Sequence, residues 1–252
     1  MESKGEINAI DRESVTKICS GQVVVDLATA VKELVENALD AGATTIEVKL
    51  RDMGMTSIEV SDNGSGIDKK NYSSIALKHF TSKLTLFNDL NNVNTFGFRG
   101  EAINSLCELS EKLSIITKTS NEEIGTLLNF NSSSSSNKND GICGELINKP
   151  NGTPTPRNNN GTTIIINKLF KRLPVRRNDF INNIKKHYKK LIKVLESYAI
   201  ISCGIRLIVT NTQEPGAGTG AGSGTSHGKK STMTIIGTQG SIKMQDNISC
   251  VF

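Results

Sequence analysis

Between Leu27 and Val60 the spacing of apolar residues changes once, and that change limits the fold more than any other feature of the chain. Leu27, Val31, Leu34, Val35 and Ala38 recur at helical spacing, which predicts a helix over 29–41 with Asp26 or Thr29 as its cap and Gly42 just past its end. Ile46, Val48 and Leu50 then alternate with polar residues, and Ile58 and Val60 do so again beyond Gly54. Two such runs read as a β-hairpin with one buried face. A helix running into a half-buried hairpin calls for a helical layer on a sheet.

The rest of the pattern extends this scheme. A short helix is expected over 69–79, and another begins near Glu101 with Ile103, Leu106 and Cys107 facing inward. Strands are expected at 113–119, 125–130, 143–147, 162–167 and 205–211, with a longer helix over 179–197. The fold class that follows is α/β: a two-layer sandwich with a mixed, mostly antiparallel sheet and helices on one face. Residues 1–211 are expected to form one domain carrying a flexible polar insertion at 131–140. A disordered Gly/Ser-rich loop is expected at 212–231, and 232–252 reads as the start of a further unit.

Composition excludes several classes. The five cysteines are far apart and form no C-x-x-C pair, so reduced thiols are expected rather than a disulfide framework or a zinc site. The first residues lack the apolar segment of a secretory signal, and no apolar run is long enough to span a bilayer. The net charge is +5, but between Lys168 and Lys193 there are ten Lys or Arg and one acid. That asymmetry points to a polyanionic partner. Lys185, Lys186, Lys189, Lys190 and Lys193 share one arc of the 179–197 helix, opposite Ile184, Leu191 and Leu195, with Arg176 and Arg177 close by in sequence. A solvated helix face gives the same pattern. The functional alternative is sequence-independent contact with a DNA backbone.

Three motifs carry chemistry. Glu33 and Asn37 lie one turn apart on the first helix, so a carboxylate and an amide oxygen are available to a water and a metal together, although a solvated face also looks like this. Asp62-Asn63-Gly64-Ser65-Gly66 puts a carboxylate at a strand end, where it can accept a hydrogen bond from the exocyclic amine of adenine. Its two glycines allow positive φ and close approach; a plain Asn-Gly turn is the other reading. Gly97-Phe98-Arg99-Gly100-Glu101-Ala102 runs a glycine-rich loop into a helix N-terminus, an arrangement that offers N–H groups to phosphate. Thr81-Ser82-Lys83 adds hydroxyls and a cation. Gly228-Lys229-Lys230-Ser231 lacks Walker A spacing.

Together with Gly161-Thr162, these motifs resemble the four ATP-binding motifs of the GHKL family, which includes gyrase, Hsp90, histidine kinases and MutL. The run from Lys32 to Ala43, the Gly97–Ala102 lid and Leu173-Pro174-Val175-Arg176-Arg177 are similar to MutL-type mismatch repair proteins. The stretch Ile18 to Val24 resembles their eukaryotic PMS branch. The resemblance spans roughly residues 10–211. It implies a GHKL (Bergerat) ATPase fold and ATP and Mg2+ as cofactors. Glu33 would be the general base, Asn37 the Mg2+ ligand and Asp62 the reader of adenine. Gly64, Gly66, Thr81, Ser82, Lys83, Arg99, Gly100, Glu101, Ala102, Ile103 and Thr162 would bind nucleotide. It further implies slow ATP hydrolysis driving a conformational switch in DNA mismatch repair, with DNA and an MLH-branch homologue as partners, in the nucleus. Residues 232–252 would open a transducer domain, which in the family supplies a catalytic lysine. A non-hydrolysing DNA-binding or scaffold module is the alternative.

Overall fold

Three apolar strands and the helix that covers them set the architecture. The computed structural model describes residues 9–80, 95–97, 100–130, 146, 152–214 and 230–251. Among the described residues, eight strands form one sheet in the order β5-β4-β3-β6-β2-β1-β7-β8. In chain order they are β1 (Thr45–Arg51), β2 (Ser57–Asp62), β3 (Lys112–Lys118), β4 (Gly125–Asn129), β5 (Thr153–Thr155), β6 (Gly161–Asn167), β7 (Arg206–Gln213) and β8 (Ser231–Gly237). Every neighbouring pair is antiparallel except β1 and β7, which run parallel with Val48 opposite Val209. The sheet is therefore mixed and mostly antiparallel, as expected.

The helices are α1 (Arg12–Val23), α2 (Leu27–Asp40), α3 (Ala102–Leu109), α4 (Pro174–Asn182), α5 (Ile184–Ile201) and α6 (Met244–Val251). α2 forms where the periodicity places it. Asp26 caps it by accepting from Thr29 N–H at 2.8 Å, a contribution of about 1 kcal/mol. Leu27, Val31, Leu34 and Val35 are buried against Ile58, Val60 and the rest of one contiguous core, each worth about 1.5–3 kcal/mol relative to exposure. Burial pushes the Asp26 carboxyl up, but a bond from Lys190 Nζ at 2.5 Å and those from Thr29 outweigh it and hold the carboxyl below its usual range. This ion pair fastens the start of α2 to α5.

The elements depart from the sequence expectation in several places. The 69–79 segment is not a helix but a single 3-10 turn, Lys69–Asn71, followed by turns. There Ser74 Oγ donates to the Asn71 carbonyl, and Ser74 N–H and Leu77 N–H reach back only three residues. Serine hydroxyls compete with helical bonding in this way. The helix expected over 179–197 is two helices broken at Asn183, with Pro174 starting the first. α1, a three-turn helix capped by Asp11, and the short edge strand β5 were not expected. The strand expected at 143–147 lies outside the described residues except for Leu146, which bridges to Phe130. The polar insertion 131–140 lies outside them too, as does most of the 212–231 segment, whose ends belong to β7 and β8. β8 pairs with β7 in the same sheet. Among the described residues no helix is long and apolar enough to cross a membrane.

Candidate nucleotide site

A cavity of about 500 Å3 opens between α2, the end of β2 and the start of α3. Its floor is apolar, made by Leu34, Ala38, Val60, Ile115 and Ile164. Polar groups converge on it from elements distant in sequence, among them Glu33, Asn37 and Asp40 from α2, Asp62 from β2, and Thr162 from β6. A mostly apolar concavity with a few fixed polar groups is the usual form of a cofactor site.

Glu33 and Glu36 lie on the same helix and differ completely in environment. Glu33 lines the cavity, with Lys32 Nζ 3.8 Å from its Oε1. Glu36 is buried, accepting from Lys32 Nζ at 2.7 Å and from the Tyr198 hydroxyl at 2.5 Å. Burial, and then the bond to Glu36, push the Tyr198 hydroxyl well above its usual range. Glu36 therefore ties α2 to α5, and Glu33 faces the site. Asn37 stands one turn beyond Glu33 at the cavity wall.

Asp62 ends β2. Its Oδ1 accepts from Gly64 N–H at 2.8 Å and from Thr162 N–H at 3.2 Å. Both of its side-chain hydrogen bonds from described residues fall on that oxygen, which leaves Oδ2 for a ligand. Burial pushes the carboxyl above its usual range, opposed by those two N–H groups and by the nearby Arg157 cation. Gly66 has φ +76, and a Cβ there would lie 2.3 Å from the Lys118 carbonyl oxygen. At Gly161, φ is +118 and a Cβ would lie 2.1 Å from the Asp62 carbonyl oxygen. The space these glycines leave empty is thus filled first by the protein's own backbone.

The start of α3 closes the cavity. Gly100, Glu101, Ala102 and Ile103 line it, and Glu101 provides no side-chain cap to the helix. The N–H groups of Ala102 and Ile103 are thereby placed to meet an anion at a helix N-terminus. His79 Nδ1 lies 3.2 Å from Glu101 Oε1. Asp40, at the end of α2, accepts from Phe96 N–H at 3.0 Å and Gly97 N–H at 3.1 Å, so it holds the near end of the glycine-rich loop.

Of the residues expected at the site, Glu33, Asn37, Asp62, Gly66, Gly100, Glu101, Ala102, Ile103 and Thr162 line this one cavity, with Gly64 bonded to Asp62 beside it. Thr81, Ser82, Lys83 and Arg99 lie outside the described residues. The basic residues do not line it. Lys185, Lys186, Lys189 and Lys193 are exposed on α5, opposite buried Leu191, Leu195 and Ala199. Lys190, also on that face, reaches Asp26. Arg176 donates to the carbonyls of Gly21 and Val24 and lies over the Phe170 ring. Arg177 donates to the carbonyls of Leu169 and Met55 and lies over Phe180. These two arginines bind the chain to itself. Two residues beyond those expected bear on the site: Asp40 lines the cavity, and Arg157 donates to the Asp62 carbonyl. The signal for Asp40 is an acid in the last turn of a helix, which the helix dipole disfavours unless it has another partner.

A Mg2+ ion suits this donor set. Among the described residues no three His, Cys, Asp or Glu cluster as a cage. Mg2+ in nucleotide sites is held by one or two protein oxygens, phosphate oxygens and water, and Asn37, which lines the cavity, is the residue that would hold it.

The family described as histidine kinase-, DNA gyrase B-, and HSP90-like ATPase matches residues 25–160, just over half the chain. The mismatch repair endonuclease PMS2 of Homo sapiens is 46% identical over 246 residues, 98% of this chain and 25% of that protein. The DNA mismatch repair protein PMS1 of Arabidopsis thaliana is 44% identical over the same 98% of the chain and 24% of its own length. A crystal structure of the N-terminal domain of a DNA repair protein superposes with a TM-score of 0.73 at 40% identity, covering 94% of this chain and 60% of that one. The chain spans about a quarter of the length of these curated relatives.

Proposed function

Because the chain belongs to the histidine kinase-, DNA gyrase B- and HSP90-like ATPases, on their MutL branch as found in eukaryotic PMS proteins, we propose that it binds ATP with Mg2+ and hydrolyses it slowly as a switch in DNA mismatch repair. The observation that carries this reading is the convergence of Glu33, Asn37, Asp62, Thr162 and the α3 N-terminus on one cavity.

The roles follow from chemistry and position. Asp62 Oδ2 accepts a hydrogen bond from the adenine amine, while guanine presents a carbonyl at that place. The N–H groups at the start of α3 meet the phosphates. Asn37 holds Mg2+, which neutralises phosphate charge when bound. Glu33 orients the attacking water and takes its proton. Most of the rate enhancement in such a site is positioning and electrostatics. ATP then stabilises the arrangement of α3 and the glycine-rich loop it contacts, and that arrangement is what a partner reads.

Equilibrium binding tests the reading. The chain is expected to bind ATP, more tightly with Mg2+ than without, and to discriminate against GTP. Asn37→Ala should abolish the Mg2+-dependent gain. No ATP binding, or equal affinity for GTP, would sink the reading.

DNA and an MLH-branch MutL homologue are the partners this reading implies, and the nucleus is the compartment. The exposed lysines of α5 are the DNA-facing group. Changing Lys185, Lys186, Lys189 and Lys193 together to Glu should lower DNA affinity and reduce the slope of log K against log salt by about 3–4. An unchanged salt titration would remove α5 from the interface.

A further inference from the structure

We propose that Arg157 is a positioning residue that fixes Asp62 for recognition of the exocyclic amine of adenine, an inference that rests on the ATP-binding reading above. The pairing of β2 with β6 ends at Ser61 and Thr163. Beyond that point the Asp62 carbonyl takes its hydrogen bond from Arg157 NH2, at 2.7 Å. The same guanidinium donates through NH1 to Thr163 Oγ1 at 2.5 Å and through Nε to the Asn159 carbonyl at 3.0 Å. Thr163 Oγ1 in turn lies 2.8 Å from Ser61 Oγ. Arg157 therefore spans the end of both strands and continues their pairing with a side chain.

This clamp acts at the residue whose carboxylate must be aimed. The Asp62 main chain is held by Arg157 on one side and crowded by the Gly161 backbone on the other, where even a Cβ would lie 2.1 Å from its carbonyl oxygen. Its side chain is held through Oδ1 by Gly64 and Thr162. With main chain and Oδ1 both held, Oδ2 is fixed as well, on a residue that lines the cavity. The Arg157 cation also favours the charged carboxylate, against burial that disfavours it. A planar fork satisfies two acceptors at fixed spacing, which a lysine ammonium does not. Arg157 touches no reacting atom; it acts through Asp62.

Calorimetric binding of two nucleotides separates positioning from general stability. ATP carries the 6-amino group, and purine riboside triphosphate lacks it. Arg157→Met should weaken ATP binding about tenfold, the size of one lost charged hydrogen bond, and should change the affinity for the analogue less than about twofold. Arg157→Lys and Thr163→Val should fall between wild type and Arg157→Met for ATP only. An unchanged ATP affinity in Arg157→Met overturns the proposal, as does an equal loss for both nucleotides. If Arg157→Met does not fold, the two milder variants carry the comparison, and the absence of any ATP-selective loss in both overturns it. Asp62→Asn distinguishes this failure from that of the underlying reading. If Asp62→Asn leaves ATP affinity intact, adenine is not read by Asp62, and the ATP-binding assignment itself fails at that contact.

Discussion

Glu33→Ala is expected to lower ATP turnover about a hundred- to ten-thousandfold, the range for loss of a general base, while leaving ATP affinity nearly unchanged. The side chain lines the cavity from the middle of α2, 3.8 Å from Lys32 Nζ, so its removal takes a proton acceptor away from the cavity wall. Alanine is also the better helix former. Single-turnover hydrolysis beside equilibrium binding checks both halves of the statement. Turnover equal to wild type would refute the assignment. Binding without turnover in the wild-type chain as well would leave a nucleotide-binding module that does not hydrolyse. Glu36 serves as the contrast. It is buried and bonded to Lys32 and Tyr198, so its substitution should act on the junction of α2 with α5.

Gly66→Ala is expected to destabilise the fold by about 3 kcal/mol or more, through positive φ and a clash together. A Cβ at this position would come 2.3 Å from the Lys118 carbonyl oxygen and 2.7 Å from its carbon. Both are backbone atoms of β3 that no rotamer change can move aside. The change should lower the thermal midpoint by about 6–12 °C at this chain size. A thermal scan in the absence of nucleotide is the measurement, because it separates architecture from ligand binding. A midpoint within about a degree of wild type, well below one kcal/mol at this size, would show that the loop relaxes away from β3.

What could be read from the sequence was what is local. α2, β1 and β2 each declare themselves by period, and the motifs at Glu33, Asp62 and Gly97 lie beside them. The α/β class with a mixed, mostly antiparallel sheet followed from that order of elements. The sequence could not distinguish Glu33 from Glu36 by environment, since that depends on Tyr198, 162 positions away from Glu36. Arg157 carries no local signal for the same reason: its partner Asp62 lies 95 positions earlier. Arg176 and Arg177 look like part of a basic surface in sequence, and only the carbonyls of Gly21, Val24, Met55 and Leu169 reveal their internal bonds. α1 was missed because Val15 and Ile18 are exposed, which blurs its amphipathic stripe. The break at Asn183 was missed because apolar residues continue at near-helical spacing across it.

The one parallel pairing among the described strands has a consequence for how the chain is made. β1 finds β2 at once through a tight hairpin, but its other edge is closed by β7, and the bond from Met53 N–H to Asn211 Oδ1 at that seam joins residues 158 apart. On a ribosome adding about 5–20 residues per second, the first hairpin waits on the order of ten to thirty seconds for its neighbour. During that interval a row of unpaired backbone groups on Val48 and Leu50 is open to any other extended strand. The late arrival of β7 is thus a step at which a newly made chain is exposed to misassembly, and one at which a chaperone would gain by shielding it.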